Sequence, residues 1–459
     1  MRQRTECGRV PVQPQRRIDL GEHRCEPVDR AERHHAAQQP GTAHGTLRGA
    51  DQLRDGETFT ILQYENPDSA QGQGWQLALE IFQEKHPDVD VDFQTTSFDA
   101  MRQNAKITLT GNDVPDVIEF NKGNADGGQL AGQGLLSPLT EQVEEFGWDE
   151  KVTGSMQAFA KYDEQGLAGS GEWYGIPNIG EYVMFYYNKE LFAEAGITAE
   201  PTTLDEFEAA MDKLLAIGVT PISSSASTSQ GFNQMWVWYS LVSAGADRDQ
   251  IDGFMFLRDD VDFSKAPWID GADRFEEWID KGYVGDQLGG LSFEQATVNF
   301  LSGEKAMLIW NNGEFARIRE QAPFEWDYFT LPGASMSMGS SGHLWGVPAN
   351  AKNKELAYDW IDITLSAEVQ NKIGELGGLP LAGDTSAITD EITRTFTERF
   401  DELVADDTLT FYPDYPVPGL LDFIQTHMQA MSNQNETAAE FTEKLQSFYD
   451  EGKASVLQG

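Results

Sequence analysis

Between residues 58 and 120 the chain alternates strand and helix signals at the spacing of a parallel α/β sheet. Residues 58–64 (TFTILQY) are β-rich and alternating, a first strand. Trp75, Leu79 and Phe82 then recur at helical spacing, and His86-Pro87 stops a helix over 75–85. Residues 88–93 (DVDVDF) place Val89, Val91 and Phe93 on one face, which predicts a half-buried strand. A second helix is predicted near 100–109, and 116–120 (DVIEF) reads as the next strand.

Further along, residues 171–191 (GEWYGIPNIGEYVMFYYNKEL) hold a polar turn, a Gly/Pro bend and an aromatic-rich strand over 182–187. Thr203 and Glu206 form a capping signature for a helix over 204–215. Helical stretches are predicted at 236–242, 273–281, 354–365, 391–403 and 436–449, and short strands at 344–347 and, after 293–302 turns at Gly303, at 305–310. Residues 335–341, rich in Gly, Ser and Met, read as a loop.

With 459 residues, 40% hydrophobic and 11% aromatic, the chain can bury a large core in two or three domains of about 150 residues each. Its net charge of −42 excludes the basic stripe that nucleic acid and anionic head groups require. A neutral ligand suits that surface better than an anionic one, and solubility in a salty environment explains it equally well. Residues 1–56 differ sharply, with ten Arg, eight acidic residues, no aromatic, both Cys and no apolar run of signal-peptide length. Removing them from the totals of 33 Lys+Arg and 75 Asp+Glu leaves 23 and 67 in residues 57–459. The stretch is expected to be a misplaced start or reading frame covering the place of an export signal, the alternative being a disordered basic tail. The body has no cysteine, hence no disulfide, thiolate nucleophile or Cys-ligated metal, and no apolar run long enough to span a membrane.

Several motifs in order resemble the extracellular solute-binding proteins of sugar ABC importers, the bacterial family 1 type typified by maltose-binding protein. They are LTGNDVPDVIEF at 109–120, QGLLSPL at 133–139, YGIP…YYNKELFAEAGI…PTT at 174–203, SGEKAMLIWNNGEF at 302–315, and NKELA with GGLP within 342–381. The resemblance covers nearly all of 57–459, with Phe315 where the family usually has Trp. It implies an α/β, two-lobe periplasmic-binding-protein-like fold (type II) with a hinge between the lobes. Lobe 1 would take 57–170 and 343–383, lobe 2 171–342 and 384–459, with 1–56 outside both. It further implies a monomeric, extracytoplasmic protein, periplasmic or lipid-anchored, that hands a carbohydrate to membrane permease subunits without cofactor or chemistry. A secreted carbohydrate-active hydrolase is the competing reading, since two carboxylates among so many would suffice. A binding protein for a polyol or other solute is the third.

Sugars need aromatic plates and short polar groups. Glu65 and Asn66 follow the first strand, and Asn121, Lys122 and Asn124 follow the 116–120 strand, where open α/β sheets place ligand contacts. A cap, turn or loop role competes for each. The resemblance puts a hydroxyl-accepting carboxylate at Glu181, with Tyr182 as a plate or core residue. In QGFNQMWVWY, Asn233 and one of Trp236 and Trp238 are candidates. Trp310, Asn312 and Phe315 surround the Ala-Met element, where the family's stacking aromatic is found. His343 and Trp345 lie on the returning strand, and core packing is the alternative for both of these groups. Tyr412, Asp414 and Tyr415 sit among three prolines as a rigid rim or a plain structural loop. No zincin, nucleophile-elbow, Walker or dinucleotide motif occurs. Asp247, Asp249 and Asp252-Gly253 fall short of a calcium loop at Ile251, and three scattered body histidines argue against zinc.

Overall fold

The computed structural model describes residues 58–228, 231–285 and 290–458. The basic stretch 1–56, expected to be unstructured or spurious, lies outside the described residues. In chain order the strands are β1 (Thr58–Gln63), β2 (Asp90–Thr95), β3 (Val117–Phe120), β4 (Lys161–Tyr162), β5 (Glu172–Trp173) and β6 (Ile176–Pro177). They continue with β7 (Gly180–Asn188), β8 (Thr220–Ser223), β9 (Lys305–Asn311), β10 (Trp326–Phe329), β11 (Gly339–Ser341) and β12 (Leu344–Gly346).

The fold is α/β with two lobes, each built on its own sheet. The first is five-stranded in the order β2-β1-β3-β12-β6. Strands β1, β2 and β3 run parallel, as their alternation with helices requires, and β12 and β6 add antiparallel strands at one side. On β2 the apolar residues Val91 and Phe93 are half-buried while Asp90 and Asp92 are exposed, as the strict alternation predicts for an edge. The first helix, Ala70–Lys85, starts five residues before the periodic apolar run because Ser69 caps it, accepting from Gly72 N–H at 3.0 Å.

The second sheet follows β10-β7-β9-β8, with β11 also paired to β7. Thr203 caps the helix Leu204–Ala216 as predicted, accepting from Glu206 N–H at 3.2 Å. Asp247 likewise caps the helix Arg248–Met255 and so has a structural use that needs no calcium. The chain moves between sheets from β6 to β7 and from β11 to β12. It crosses again after the helix Ala367–Glu375, which packs on Ala70–Lys85, toward Glu391–Ala405, which packs on β7. Several crossings at one place let the segments flex together as a hinge.

Residues 339–341 correct the expectation of a loop over 335–341: they form β11, in register with β7 at Gly339↔Tyr182, Ser340↔Glu181 and Ser341↔Gly180. Small residues are required there, since a side chain at Gly339 would meet the Glu181 carbonyl and the Tyr182 Cβ. A ladder made by backbone alone leaves no hydrophobic alternation to read.

Trp345, expected as a ligand contact or core residue, is core. It packs edge-on between Trp75 and Trp360 at 5.4 and 5.6 Å, under the first sheet. Trp345→Ala should lower the unfolding free energy by about 3–5 kcal/mol, measured by urea denaturation. A loss below about 1 kcal/mol, the range of surface substitutions, would contradict this packing role.

Candidate functional site

A cavity of about 590 Å³ opens between the two sheets, within the size range of small-ligand sites. On the first lobe its wall comes from Tyr64, Glu65 and Asn66 after β1, Phe98 at a helix start, Asn121 after β3, and His343 before β12. These stand beyond the carboxyl ends of β1 and β3, where parallel sheets expose free loops. On the second lobe the wall comes from Glu181 on β7, Phe232 and Trp236 on the helix Phe232–Gly245, and Trp310 and Asn311 at the end of β9. Glu314, Arg317, Tyr412, Asp414 and Tyr415 complete it.

Aromatic rings run without a break from one lobe to the other. Tyr64 meets Phe98 at 5.6 Å, Phe98 meets Phe232 at 6.3 Å, and Phe232 meets Trp236 at 5.9 Å. Trp236 then touches Trp310 at 4.5 Å and Tyr412 at 5.7 Å, while Phe293 stacks on Trp310 at 4.6 Å. Such plates suit the CH faces of a sugar ring; Tyr64 Oη and Trp236 Nε1 are buried without a hydrogen-bond partner among the described residues.

Charge collects at one end. His343 Nδ1 lies 2.7 Å from Glu65 Oε1. Beneath them Glu119, fully buried on β3, accepts from Tyr64 N–H at 3.3 Å and from Asn178 Nδ2 at 2.6 Å. Burial, then the nearby Glu65 carboxylate, pushes the Glu119 carboxyl well above its ordinary range. Burial also raises Glu181, against the opposing pull of His343 and Lys122. Lys122 itself is pulled down by burial, with Glu181 3.9 Å away working against that. Burial lifts Glu314 to about 7 although Arg317 opposes it, and lifts Asp414 to about 6 against Arg102.

Of the residues predicted from sequence, the cavity wall brings together Glu65, Asn66, Asn121, Glu181, Trp236, Trp310, His343, Tyr412, Asp414 and Tyr415. The others do not line it, for local reasons. Tyr182 follows Glu181 on a strand, so it faces the opposite side, stacking near Phe396 and Phe400 and donating to Phe396 O at 3.2 Å. Phe315 belongs to that same core, 4.5 Å from Phe396. Trp345 lies between tryptophans, as described above. Asn233 ties its helix to β9 through Ile309 O at 2.8 Å, and Asn312 holds Gly180 O at 3.2 Å. Asn124 bridges Ala168 N–H and Met255 O. Lys122 is fully buried behind Glu181, over the Tyr415 ring at 5.3 Å.

Of the indole pair, Trp236 reaches the cavity and Trp238 packs on Phe441. Two residues apart on a helix, they point to opposite sides. Phe232 and Met235, one turn before and one residue before Trp236, complete the same face. That helical spacing was the available signal for them. Tyr64 reads as the last residue of the alternating first strand, and Phe98 and Phe293 open helices, so none of the three stands out in the sequence.

Glu65, Glu119 and His343 bring ligand atoms within 4.8 Å of one another, the geometry of a small cation site. Each is already satisfied by the hydrogen bonds given above, so the group is accounted for without an ion. The other body histidines are paired separately, His86 with Asp359 and His427 with Glu436. No described helix is long and apolar enough to cross a membrane.

A cleft between two α/β lobes with an aromatic wall defines the class of two-lobe solute receptors. The chain belongs to the bacterial extracellular solute-binding protein family, which it matches over residues 66–371. It is 26% identical over 256 residues to a probable sugar-binding periplasmic protein of Mesorhizobium japonicum, covering 54% of this chain and 58% of that relative. Over 349 residues it is 24% identical to the diacetylchitobiose-binding protein of Streptomyces coelicolor, covering 73% and 75% of the two chains. A probable sugar-binding periplasmic protein of Rhizobium meliloti is matched over only 48% of its length, so the chain spans about half of some relatives. Among solved structures, a chitin oligosaccharide binding protein superposes with a TM-score of 0.73 at 22% identity, covering 87% of this chain and all of the other.

The upward shifts at Glu314, from 4.5 to about 7, and Asp414, from 3.8 to about 6, set a pH dependence. The native state holds more protons than the unfolded chain between those values. The contribution of these two groups to stability is therefore fully present below the ordinary carboxylate range and is lost as pH rises to about 6 and about 7. A Glu314→Gln, Asp414→Asn variant should show a flatter loss across that window in urea unfolding. Parallel curves would mean that the two carboxyls titrate normally.

Proposed function

We propose that the protein is the carbohydrate-binding subunit of an ABC importer, holding a sugar or oligosaccharide in the cavity between its lobes and releasing it intact. The observation that carries this reading is the unbroken aromatic wall from Tyr64 to Tyr412, edged by unpartnered Tyr64 and Trp236 groups and by Asn66, Asn121 and Asn311. Rings stack on the wall while hydroxyls take the polar edges. Glu181 and Glu65 accept hydroxyl protons at the charged end. The names of the relatives and the family membership support the same ligand class.

The reading assigns one lobe to the sheet of β1, β2, β3, β6 and β12 and the other to the sheet of β7–β11, with a hinge at the crossings. Ligand favours closure by the contacts that the second wall adds. The loaded monomer, outside the cytoplasm in the periplasm or on a lipid anchor, is then the form that a permease receives.

The test is a thermal-shift screen across mono- and oligosaccharides and polyols, followed by calorimetry and product analysis of the hits. A cognate ligand raises the melting temperature by mass action and is recovered unchanged; released shorter sugars would establish a hydrolase instead. For the saccharide that binds, Trp236→Ala and Trp310→Ala should each weaken affinity by about tenfold or more, the cost of removing a central aromatic anchor. Unchanged affinity in both variants would take the ligand away from this wall.

A further inference from the structure

Lys122 carries its ammonium into the interior without a hydrogen-bond partner among the described residues. Taking an isolated cation out of water is costly, so its place calls for a compensating group. Two are in reach: Glu181 Oε2 lies 3.9 Å from Nζ, and the Tyr415 ring centroid 5.3 Å away. Both groups line the cavity, while Lys122 stands behind them. At 3.9 Å the ammonium is beyond hydrogen-bond reach of the carboxylate. Coulomb attraction needs no such contact, and salt screens a buried pair little. The loop that carries Lys122 is tied at several points. Gly123 N–H donates to Tyr162 Oη at 3.1 Å, Ala125 N–H donates to Tyr415 O at 3.0 Å, and Asn124 bridges Ala168 and Met255. Gly123, at φ +87°, lets the loop close on Tyr415, since a Cβ there would lie 2.6 Å from the Tyr415 Cβ. The fold therefore places the ammonium without help from hydrogen bonds of its own.

We propose, resting on the saccharide-binding reading above, that Lys122 is a positioning residue of the sugar site, a fixed counter-charge that keeps the Glu181 carboxylate charged and able to accept ligand hydroxyls. A hydroxyl donates more strongly to a carboxylate than to a neutral acid, whose own O–H also seeks an acceptor. Lys122 supplies charge from 3.9 Å without occupying the carboxylate's lone pairs, which it leaves to the ligand. Burial works against the charged form of Glu181; His343 and then Lys122 oppose it, and Glu65 adds to it. Glu119 and the phenols of Tyr64, Tyr412 and Tyr415 face the same carboxylate, and none of them is cationic. Of the two cations, His343 is hydrogen-bonded to Glu65 at 2.7 Å. Lys122 has no such commitment, and among the carboxylates that hold its charge Glu181 comes first, before Asp414, Glu65 and Glu119. The lysine expected from sequence to touch ligand thus acts through its neighbour.

The experiment has two arms on the full chain. Without ligand, carboxyl NMR on protein with labelled glutamate follows Glu181, whose signal is identified by its loss in Glu181→Gln. Lys122→Met should move that titration upward by about one to three pH units, the effect of losing a nearby cation. An unmoved titration overturns the proposal. With ligand, calorimetry across pH measures diacetylchitobiose, maltotriose and xylotriose, together with any hit from the saccharide screen. Affinity should fall as pH drops through the Glu181 carboxyl, and Lys122→Met should shift this acid limb to higher pH by the same amount. A loss equal at every pH marks a merely structural role; it overturns the proposal and leaves the saccharide reading standing. In a Glu181→Gln background, already weakened, adding Lys122→Met should change affinity by less than about twofold. A larger change overturns the route through Glu181. Lys122→Gln, also uncharged, supplies the same readouts should Lys122→Met fail to fold. Binding of no saccharide at all overturns the saccharide reading and the positioning role with it.

Discussion

Strand β7 has no face left for solvent, and the rest of the molecule is arranged around that fact. All nine of its residues are buried. Val183, Phe185 and Tyr187 enter one core, while Tyr182, Met184 and Tyr186 enter another. Period-two geometry then gives Glu181 the parity of Val183, which brings its carboxylate to the cavity, while Tyr182 turns into the core. A slip of one residue would bury a charge among Phe396 and Phe400, so the register is strongly specified. The small residues of β11 are the complement of this constraint, letting a second backbone lie against the strand exactly where the carboxylate emerges.

Around that strand the cavity combines two demands that usually oppose each other. Aromatic faces favour a dry site, and carboxylates resist leaving water. Glu119 shows one solution, with backbone and amide donors supplied from Tyr64 and Asn178. Glu181 and Asp414 are raised chiefly by burial, opposed by His343 and Lys122 at Glu181 and by Arg102 and Lys122 at Asp414.

The alternation over residues 58–120 was legible because amphipathic periodicity is local: β1, β2, β3 and the helices Ala70–Lys85 and Phe98–Thr110 follow it closely. Residues after strand ends, such as Glu65 and Asn121, were legible for the same reason, since topology alone puts them at the sheet's open edge. Asn124, Asn233 and Asn312 misled because a buried amide that ties two loops together has the composition of one that binds a sugar. Phe98 and Phe293 were missed because nothing near them in sequence marks a cleft 200 residues away in the chain from its other wall.

From sequence alone came the α/β class, which rests on local periodicity, and the family likeness with the lobe crossing it implies, which rests on motifs in order along most of the chain. Tertiary structure decided which aromatic rings face the cavity, which tryptophans are core, and which carboxylates are buried beside it. Those are properties of side chains meeting across hundreds of residues. Burial and electrostatic balance exist only once the distant segments share one space, so no local pattern can encode them.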